Sequence, residues 1–423
     1  MSNTGVQVQM REEWNARAQE DANYYVAFGR RDQPEEEFFA TAADVLRDLQ
    51  REIQRGLPAE ARSRRFLEIG CGPGRLMKPL AEQCGEIHGI DVSDEMVARA
   101  RKNLSGLAHA HVHTGSGSTL DQFASDSFDF VYSYAVFQHI PDRDVVMSYL
   151  REAVRVLKPA GIARVQINGL PPSAKAYTTW EGVRISGDEV RDFAREQGIQ
   201  LLALEGLETQ YMWATFRKRE AAPPYARVRV QWITNARSSE PVAPVSGPYA
   251  SMALRVEGLG ESADLNHLDV RVAGVPAVPS YLGRTENDGL RQLNVPVPPG
   301  AVPGLAQVTV NGGAGKIRLI PRPIQIPRVI SVSDGVDLLS SVIRSGTVKA
   351  VMEETDGTLE CWLDGEPVPG IDVFCVDPLA PRHEFNIALP PGVPAGDHRL
   401  DLRVRGRLIA RPVIVVSEML PEV

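Results

Sequence analysis

Cysteine is scarce in this sequence: four in 423 residues, at positions 71, 84, 361 and 375. So few exclude a disulfide scaffold. No pair has Cys-x-x-Cys spacing, so no structural zinc site is predicted and no metal-ligand set is expected. Long apolar runs are also missing. No stretch approaches about 18 uninterrupted apolar residues, which excludes a membrane-spanning helix and makes a membrane partner unexpected. The opening MSNTGVQVQMREEWNARAQE has no apolar core of a secretory leader, so a cytoplasmic location is the default expectation. Nor is there a basic excess: 46 Lys and Arg against 54 Asp and Glu leave a net charge of −8. A nucleic-acid partner needs a basic footprint, and none is expected here. The short run Arg62, Arg64, Arg65 reads as a solvated surface at the amino edge of a sheet.

What is present is ordinary globular material, 43% hydrophobic and 24% charged, enough for two to four domains at roughly 100–200 residues each. The texture changes near residue 221. Before it, apolar runs alternate with helical periodicity. Helices are predicted over residues 35–57, 74–83, 94–104, 142–157 and 186–197, the last opened by the capping box Ser186/Glu189. Strands are predicted over 65–70, 86–92, 108–114, 128–137, 161–168, 200–204 and 211–217. Such alternation builds a doubly wound α/β sheet. After Glu220-Ala-Ala-Pro-Pro-Tyr225, which reads as a linker, the pattern is period two with Pro/Gly turns. Asn294-Val-Pro-Val-Pro-Pro-Gly300 matches Asn386-Ile-Ala-Leu-Pro-Pro-Gly392, and Leu268-Asp-Val-Arg-Val-Ala-Gly274 parallels Leu359-Glu-Cys-Trp-Leu-Asp-Gly365. A repeat of about 90 residues is the size of one β-sandwich. The predicted divisions are an N-terminal lid segment at 1–34, an α/β domain at 35–220, and two sandwiches at 226–324 and 325–420.

The most specific segment is Leu67-Glu-Ile-Gly-Cys-Gly-Pro-Gly-Arg-Leu76. It joins a strand to a helix through Gly70, Gly72 and Gly74, which let the backbone turn and a ligand approach closely. A nicotinamide dinucleotide fingerprint would need glycine at position 75, which is Arg75. Asp91 ends the second strand, about 20 residues past the glycine loop, where a carboxylate can accept both ribose hydroxyls of an adenosine. The strand from Phe128 runs to a polar, aromatic tip, Phe137-Gln138-His139, at the carboxyl edge where open α/β sheets bind ligands. Leu157-Lys-Pro-Ala-Gly161 then stops a helix ahead of another strand.

The order of these four segments, over about residues 10–220, resembles the class I S-adenosylmethionine-dependent methyltransferases. The resemblance implies a seven-stranded sheet with an antiparallel last strand, residues 211–217. It implies that Glu68, Gly70, Cys71, Gly72 and Gly74 surround the methionine end of S-adenosyl-L-methionine, which leaves as S-adenosyl-L-homocysteine. It further implies that Asp91 binds the ribose and that Val92 and Met96 line the adenine slot. Relatives often carry an acidic residue after the third strand, at the adenine amino group. Here the stretch is Thr114-Gly-Ser-Gly-Ser118, with no carboxylate, and Ser116 is the candidate.

Methyl transfer gains mainly from orientation, and a base is needed only for a hydroxyl or a protonated amine. His139 is the candidate base, alternatively a histidine that only frames the pocket. Gln138 is placed to hold cofactor or acceptor, or simply to form a polar wall. Tyr24 and Tyr25, in a lid, and Tyr177, in the stretch 171–180 with Lys175 and Trp180, are candidates for acceptor contact. The C-terminal segments resemble bacterial immunoglobulin-like domains, which point to homo-oligomer or protein-partner contacts. The expected reaction is O-methylation of a small molecule or glycan. The alternatives are a methyltransferase of protein or nucleic acid and an inactive scaffold.

Overall fold

The computed structural model describes residues 3–27, 31–57, 60–173, 176–219, 228–247, 249–322, 326–355, 357–377 and 382–417. The predicted linker at 220–225 and Lys175 lie outside the described residues. The chain divides into two compact units, one of residues 1–20, 39–208 and 212–323, the other of 21–38, 209–211 and 324–423.

The first unit opens with the start of α1 (Asn3–Ala27), a helix interrupted by a non-helical backbone at Asp21. The single helix predicted over 35–57 is broken into α2 (Glu35–Ala40) and α3 (Ala43–Gly56). Between them the Thr41 carbonyl and hydroxyl accept from the buried Arg75 guanidinium (3.2 and 3.3 Å) instead of continuing a helix. There follow β1 (Arg65–Ile69), α4 (Met77–Leu80), β2 (Glu86–Asp91), α5 (Asp94–Asn103), β3 (Ala110–Thr114), β4 (Phe128–Ser133), α6 (Arg143–Val156), β5 (Leu157–Ile167), α7 (Gly187–Glu196), β6 (Gln200–Glu205) and β7 (Met212–Arg217). The Ser186/Glu189 capping box opens α7 as predicted. The sheet order is β3-β2-β1-β4-β5-β7-β6, with β7 antiparallel to both neighbours. This is the seven-stranded sheet with an antiparallel last strand that the resemblance implies.

Strands covered on both faces should be apolar throughout, and β4 is buried at every position. Phe66, Phe130 and Ile162 pack with Leu49 and Ile53 of α3 on one face. Leu67, Ile69, Val131 and Val165 pack with α6 and with Val6 and Met10 of α1 on the other. Each fully buried Leu, Ile or Phe contributes about 1.5–3 kcal/mol.

The sheet does not stop at seven strands. The chain continues through β8 (Arg229–Asn235), β9 (Val242–Pro244), β10 (Ser251–Glu257), β11 (Val270–Val272), β12 (Val275–Pro276), β13 (Tyr281–Thr285), β14 (Leu290–Pro296), β15 (Gly304–Val310) and β16 (Gly313–Ile320). β13 pairs antiparallel with β6 at Tyr281 and Ala203, and the Leu204 amide donates to the Ser280 carbonyl at 2.7 Å. An eleven-stranded sheet results, running on through β13-β14-β10-β8, with β12-β11-β15-β16-β9 as a second sheet. The boundary predicted at 220 is therefore not where the compact units part. The physical reason is that β6 would otherwise be an exposed edge, and β13 covers it. Gln200 also donates to the carbonyls of Glu261 and Ala263 (2.8 and 3.2 Å), and Arg191 to that of Pro279 (3.1 Å).

Beneath this junction lies a chain of buried charges. Arg164 of β5 reaches Asp48 (2.6 Å), Glu205 (3.0 Å) and Thr215 (2.8 Å). Arg51 reaches Glu205 at 2.8 Å, and the fully buried Glu52 holds Arg55 at 2.5 Å. Arg55 donates onward to the carbonyl of Leu282 in β13, and both Arg51 and Arg55 lie over the Tyr281 ring (4.9 and 4.8 Å). Burial alone would raise the Glu52 carboxyl, but Arg55, Arg164 and Arg51 outweigh it and hold it at about 2.

The second unit is all-β in its C-terminal part. Arg328–Asp334, Thr347–Glu353, Arg382–Ala388 and Ile371–Asp377 form one sheet in that order. This is the ladder of β8, β10, β14 and β13 repeated, so the sequence repeat is a repeat of strand order. Met352, Phe385, Leu400 and Ile414 are part of its own core.

If β13 caps β6 and shares a core with the α/β sheet, the fragment 1–219 should be markedly less stable and less soluble than 1–322. Urea unfolding of both fragments with light scattering checks this; equal midpoints and monodisperse behaviour of the shorter one would refute it.

Candidate active site

The site is built where β1, β2, β3 and β4 end. β1 turns at Gly70, whose φ of +72° suits glycine and where an added Cβ would lie 2.3 Å from the Val136 side chain. The amides of Gly70 and Cys71 both donate to the Ile90 carbonyl (2.7 and 3.1 Å), which ties the glycine loop to β2. Gly72 and Gly74 also have positive φ. Asp91 ends β2 and accepts from the Gly72 amide (2.8 Å) and the Ser93 amide (2.9 Å). Burial nonetheless raises its carboxyl above the usual range. Ser93 caps α5 by accepting from the Met96 amide at 3.1 Å. Met96 is buried and Val92 packs against the core.

Glu68 is buried in β1 and accepts from the Tyr132 hydroxyl at 2.9 Å. Burial pushes its carboxyl up to about 8, against the pull of Tyr132 and of the Arg75 guanidinium. Cys71 is buried and its thiol is raised well above its ordinary value, chiefly by burial, so it is no nucleophile.

α1 bonds to the segments that follow β2, β3 and β5. Gln7 donates to the Ser118 hydroxyl, and Arg11 to the Gly115 carbonyl at 2.9 Å. Asn15 accepts from the Ser93 hydroxyl (2.7 Å) and the Glu95 amide (3.3 Å). Arg17 donates to the Thr179 hydroxyl (3.0 Å) and lies over the rings of Trp14 (4.8 Å) and Trp180 (5.4 Å). Glu13 accepts from the same Thr179 hydroxyl.

His139 sits under this latch, 6% exposed. Its Nδ1 meets the Trp180 carbonyl at 2.9 Å, so Nδ1 carries the proton. Its Nε2 is 3.2 Å from the Gln138 amide nitrogen, which is a donor because the Gln138 oxygen already accepts from Gln166 (3.1 Å). Trp14 stands edge-on to the imidazole at 5.4 Å. Burial depresses its pKa to about 4, outweighing the Trp180 carbonyl. The ring is neutral at pH 7, with both nitrogens engaged.

The structure thus brings Glu68, Gly70, Cys71, Gly72, Gly74, Asp91, Val92, Met96, Gln138 and His139 to one sheet edge. Ser116, the predicted adenine contact, is exposed, and its hydroxyl is engaged with the Thr119 hydroxyl (2.9 Å) and amide (3.0 Å) in a local turn. Tyr177 is half-buried against the core. Tyr24 and Tyr25 belong to the second unit, where their rings meet edge to face at 5.2 Å beneath Arg31 (4.2 and 5.2 Å). Arg65, predicted as solvated, is half-buried and paired with Glu86 at 2.6 Å. Sequence reasoning missed Tyr132, Gln166, Thr179 and the latch itself. The latch had a signal: Gln7, Arg11 and Asn15 recur at i, i+4, one polar stripe on one helix face.

Residues 67–165 match the family profile of the methyltransferase domain. A ubiquinone biosynthesis O-methyltransferase of Ruegeria pomeroyi is 30% identical over 181 residues, covering 38% of this chain and 71% of that protein. The chain is a class I S-adenosylmethionine-dependent methyltransferase. Phosphoethanolamine N-methyltransferase 2 of Caenorhabditis elegans is 34% identical over 154 residues, 34% of this chain and 35% of that one. A solved methyltransferase from Aquifex aeolicus covers 48% of this chain and 97% of its own at 18% identity, with a TM-score of 0.34. The methyltransferase's cofactor is S-adenosyl-L-methionine, and the donor set fits it: Asp91, held by the Gly72 amide at the end of β2, is a carboxylate of the kind that accepts ribose hydroxyls. Among the described residues no helix is long and apolar enough to cross a membrane.

A histidine whose folded pKa lies below its unfolded 6.5 favours the neutral form. Its contribution to stability is full above pH 6.5 and is lost as pH falls to about 4. His139→Asn should therefore remove about 3 kcal/mol of the stability difference between pH 7 and pH 4. Chemical unfolding at both pH values measures it; an unchanged difference would show that His139 titrates normally.

Proposed function

We propose that this methyltransferase O-methylates a small molecule or glycan held beneath α1 at the carboxyl edge of the sheet. The observation that carries the reading is the clamp of the glycine loop on Asp91, through the Gly72 amide at 2.8 Å, under an aromatic cover of Trp14 and Trp180. The bound cofactor supplies an electrophilic methyl group on a sulfonium. The chain supplies the rest. Glu68, Gly70, Cys71, Gly72 and Gly74 hold the methionine end, Asp91 the ribose, and Val92 and Met96 the adenine. Tyr177 is the proposed acceptor contact. Glu68, near neutral in the free protein, loses its proton when a cationic group arrives beside it. Support for the oxygen acceptor comes from the ubiquinone biosynthesis O-methyltransferase, which matches over most of its own length. The β-regions read as two immunoglobulin-like sandwiches, the first bracing the catalytic sheet and the second serving a protein partner.

Asp91→Ala removes two charge-assisted hydrogen bonds of roughly 1.5–3 kcal/mol each. Calorimetry with S-adenosyl-L-homocysteine should show binding weakened at least about 100-fold; undiminished affinity would sink the assignment.

His139 is a positioning residue in this reading. It fixes the amide of Gln138 and anchors the loop at Trp180 rather than taking a proton. His139→Asn retains a donor toward the Trp180 carbonyl and should keep kcat within about tenfold, whereas His139→Ala should lose more. A base contributes about 10²–10⁴-fold, so an equal loss of that size in both variants, together with a lost acid limb in the pH profile, would establish a base instead.

A further inference from the structure

At the opposite end of β2 from Asp91, about 16 Å away at roughly 3.3 Å per residue, three side chains converge that the methyl-transfer reading does not use. Glu86 and His88 share one face of β2 by period-two alternation, and parallel register sets His111 of β3 beside His88. Glu86 Oε1 lies 2.9 Å from His88 Nε2 and 3.6 Å from His111 Nε2. The three ligand atoms all fall within 4.8 Å of one another. Ligands of a tetrahedral zinc ion at 2.0–2.1 Å stand about 3.3 Å apart, so only small side-chain rotations separate this cluster from a coordination shell. Sequence reasoning looked for cysteine spacing and expected no metal.

We propose that Glu86, His88 and His111 bind a divalent transition-metal ion of the zinc class, with water in the fourth position. The donor set, two imidazoles and one carboxylate, suits zinc rather than magnesium or calcium. The surroundings supply what such a site needs. His88 Nδ1 is 3.1 Å from His113 Nε2. With the Nδ1 proton donated to His113, the Nε2 lone pair faces the Glu86 oxygen and the metal position. A second hydrogen bond of this kind fixes tautomer and ring angle in metal-binding histidines. The His88 ring is further held by Phe123 and Phe128, edge-on at 5.6 and 5.4 Å. His88 is buried, while the His111 side chain is 43% exposed, giving an ion a way in. Arg65 is the competitor. Its Nε holds the other Glu86 oxygen at 2.6 Å, and its Nη2 is 3.4 Å from His88 Nε2. Metal entry requires that Nη2 swing away while the Nε contact orients the carboxylate.

The test uses the full chain, free of any affinity tag and stripped with a chelator, titrated with Zn²⁺ against a chromophoric competitor. One ion per chain is expected. His111→Asn, at the exposed ligand, should weaken binding at least about 100-fold without altering circular dichroism. His113→Phe, which removes only the outer hydrogen bond, should cost about 10–100-fold. Zinc should raise the melting temperature of the parent and not of His111→Asn. Absence of stoichiometric binding at micromolar Zn²⁺, or unchanged affinity in a Glu86→Gln/His111→Asn variant, would overturn the proposal. Neither outcome bears on methyl transfer, which uses the other end of the strand.

Discussion

The guanidinium of Arg164 is the constraint around which the first unit is organised. It is fully buried within β5, and an ion buried without partners would cost far more than the whole fold yields. Asp48 of α3, Glu205 of β6 and Thr215 of β7 all turn toward it. That requirement fixes α3 against the sheet and sets β7 and β6 beside β5. Glu205 in turn draws in Arg51, and the neighbouring Glu52 draws in Arg55, which reaches the backbone of β13. Charge neutralisation is thus passed from the centre of the α/β sheet to the edge where the β-region joins. An apolar core of the same volume would be as stable or more so, but it would not specify which strand pairs with β6.

The carboxyl edge follows a different logic. There the acids Glu68 and Asp91 have hydrogen-bond donors, Arg75 is the one cation that pulls on Glu68, and burial outweighs these and raises both carboxyls. A site left short of positive charge is suited to a cofactor that brings its own, since a sulfonium and an ammonium supply what Arg164 supplies elsewhere. The two halves of the sheet therefore treat the same problem oppositely. One satisfies its carboxylates with buried guanidinium groups; the other holds them chiefly by neutral donors.

Much of this was legible in the sequence where local chemistry decides it. The Gly70–Gly74 turn, Asp91 at a strand end and the Ser186 capping box each depend on residues close in sequence, and the seven strands follow from their runs. What was not legible depends on distant partners. The break at Thr41 is caused by Arg75, 34 residues on. The pairing of β6 with β13 joins residues 203 and 281, and no periodicity announces it. The turn that the Ser116 hydroxyl closes on Thr119 is local, a hydroxyl followed by Gly-Ser-Thr, and was open to reading from the sequence. The His88–His111–His113 cluster was hidden because its members lie on two strands, and only register brings them together.

The latch made by α1 differs in kind from the junction at β13. Its bonds from Gln7, Arg11, Asn15 and Arg17 are all partly open to solvent. Each contributes only about 0.5–1.5 kcal/mol net, since water replaces it on opening. Val6 and Met10 are buried beneath the helix, which sets a further but modest cost. The junction, by contrast, would uncover Glu52, Arg55 and Arg164, all shielded from water. α1 is therefore held by weaker and more open contacts than the junction. His139 lies at the end of this set of contacts. Its Nδ1 proton is held by the Trp180 carbonyl, and Arg17 of α1 lies over the Trp180 ring. Arg17 is thereby linked through Trp180 to the imidazole, and through its Nε2 to the Gln138 amide.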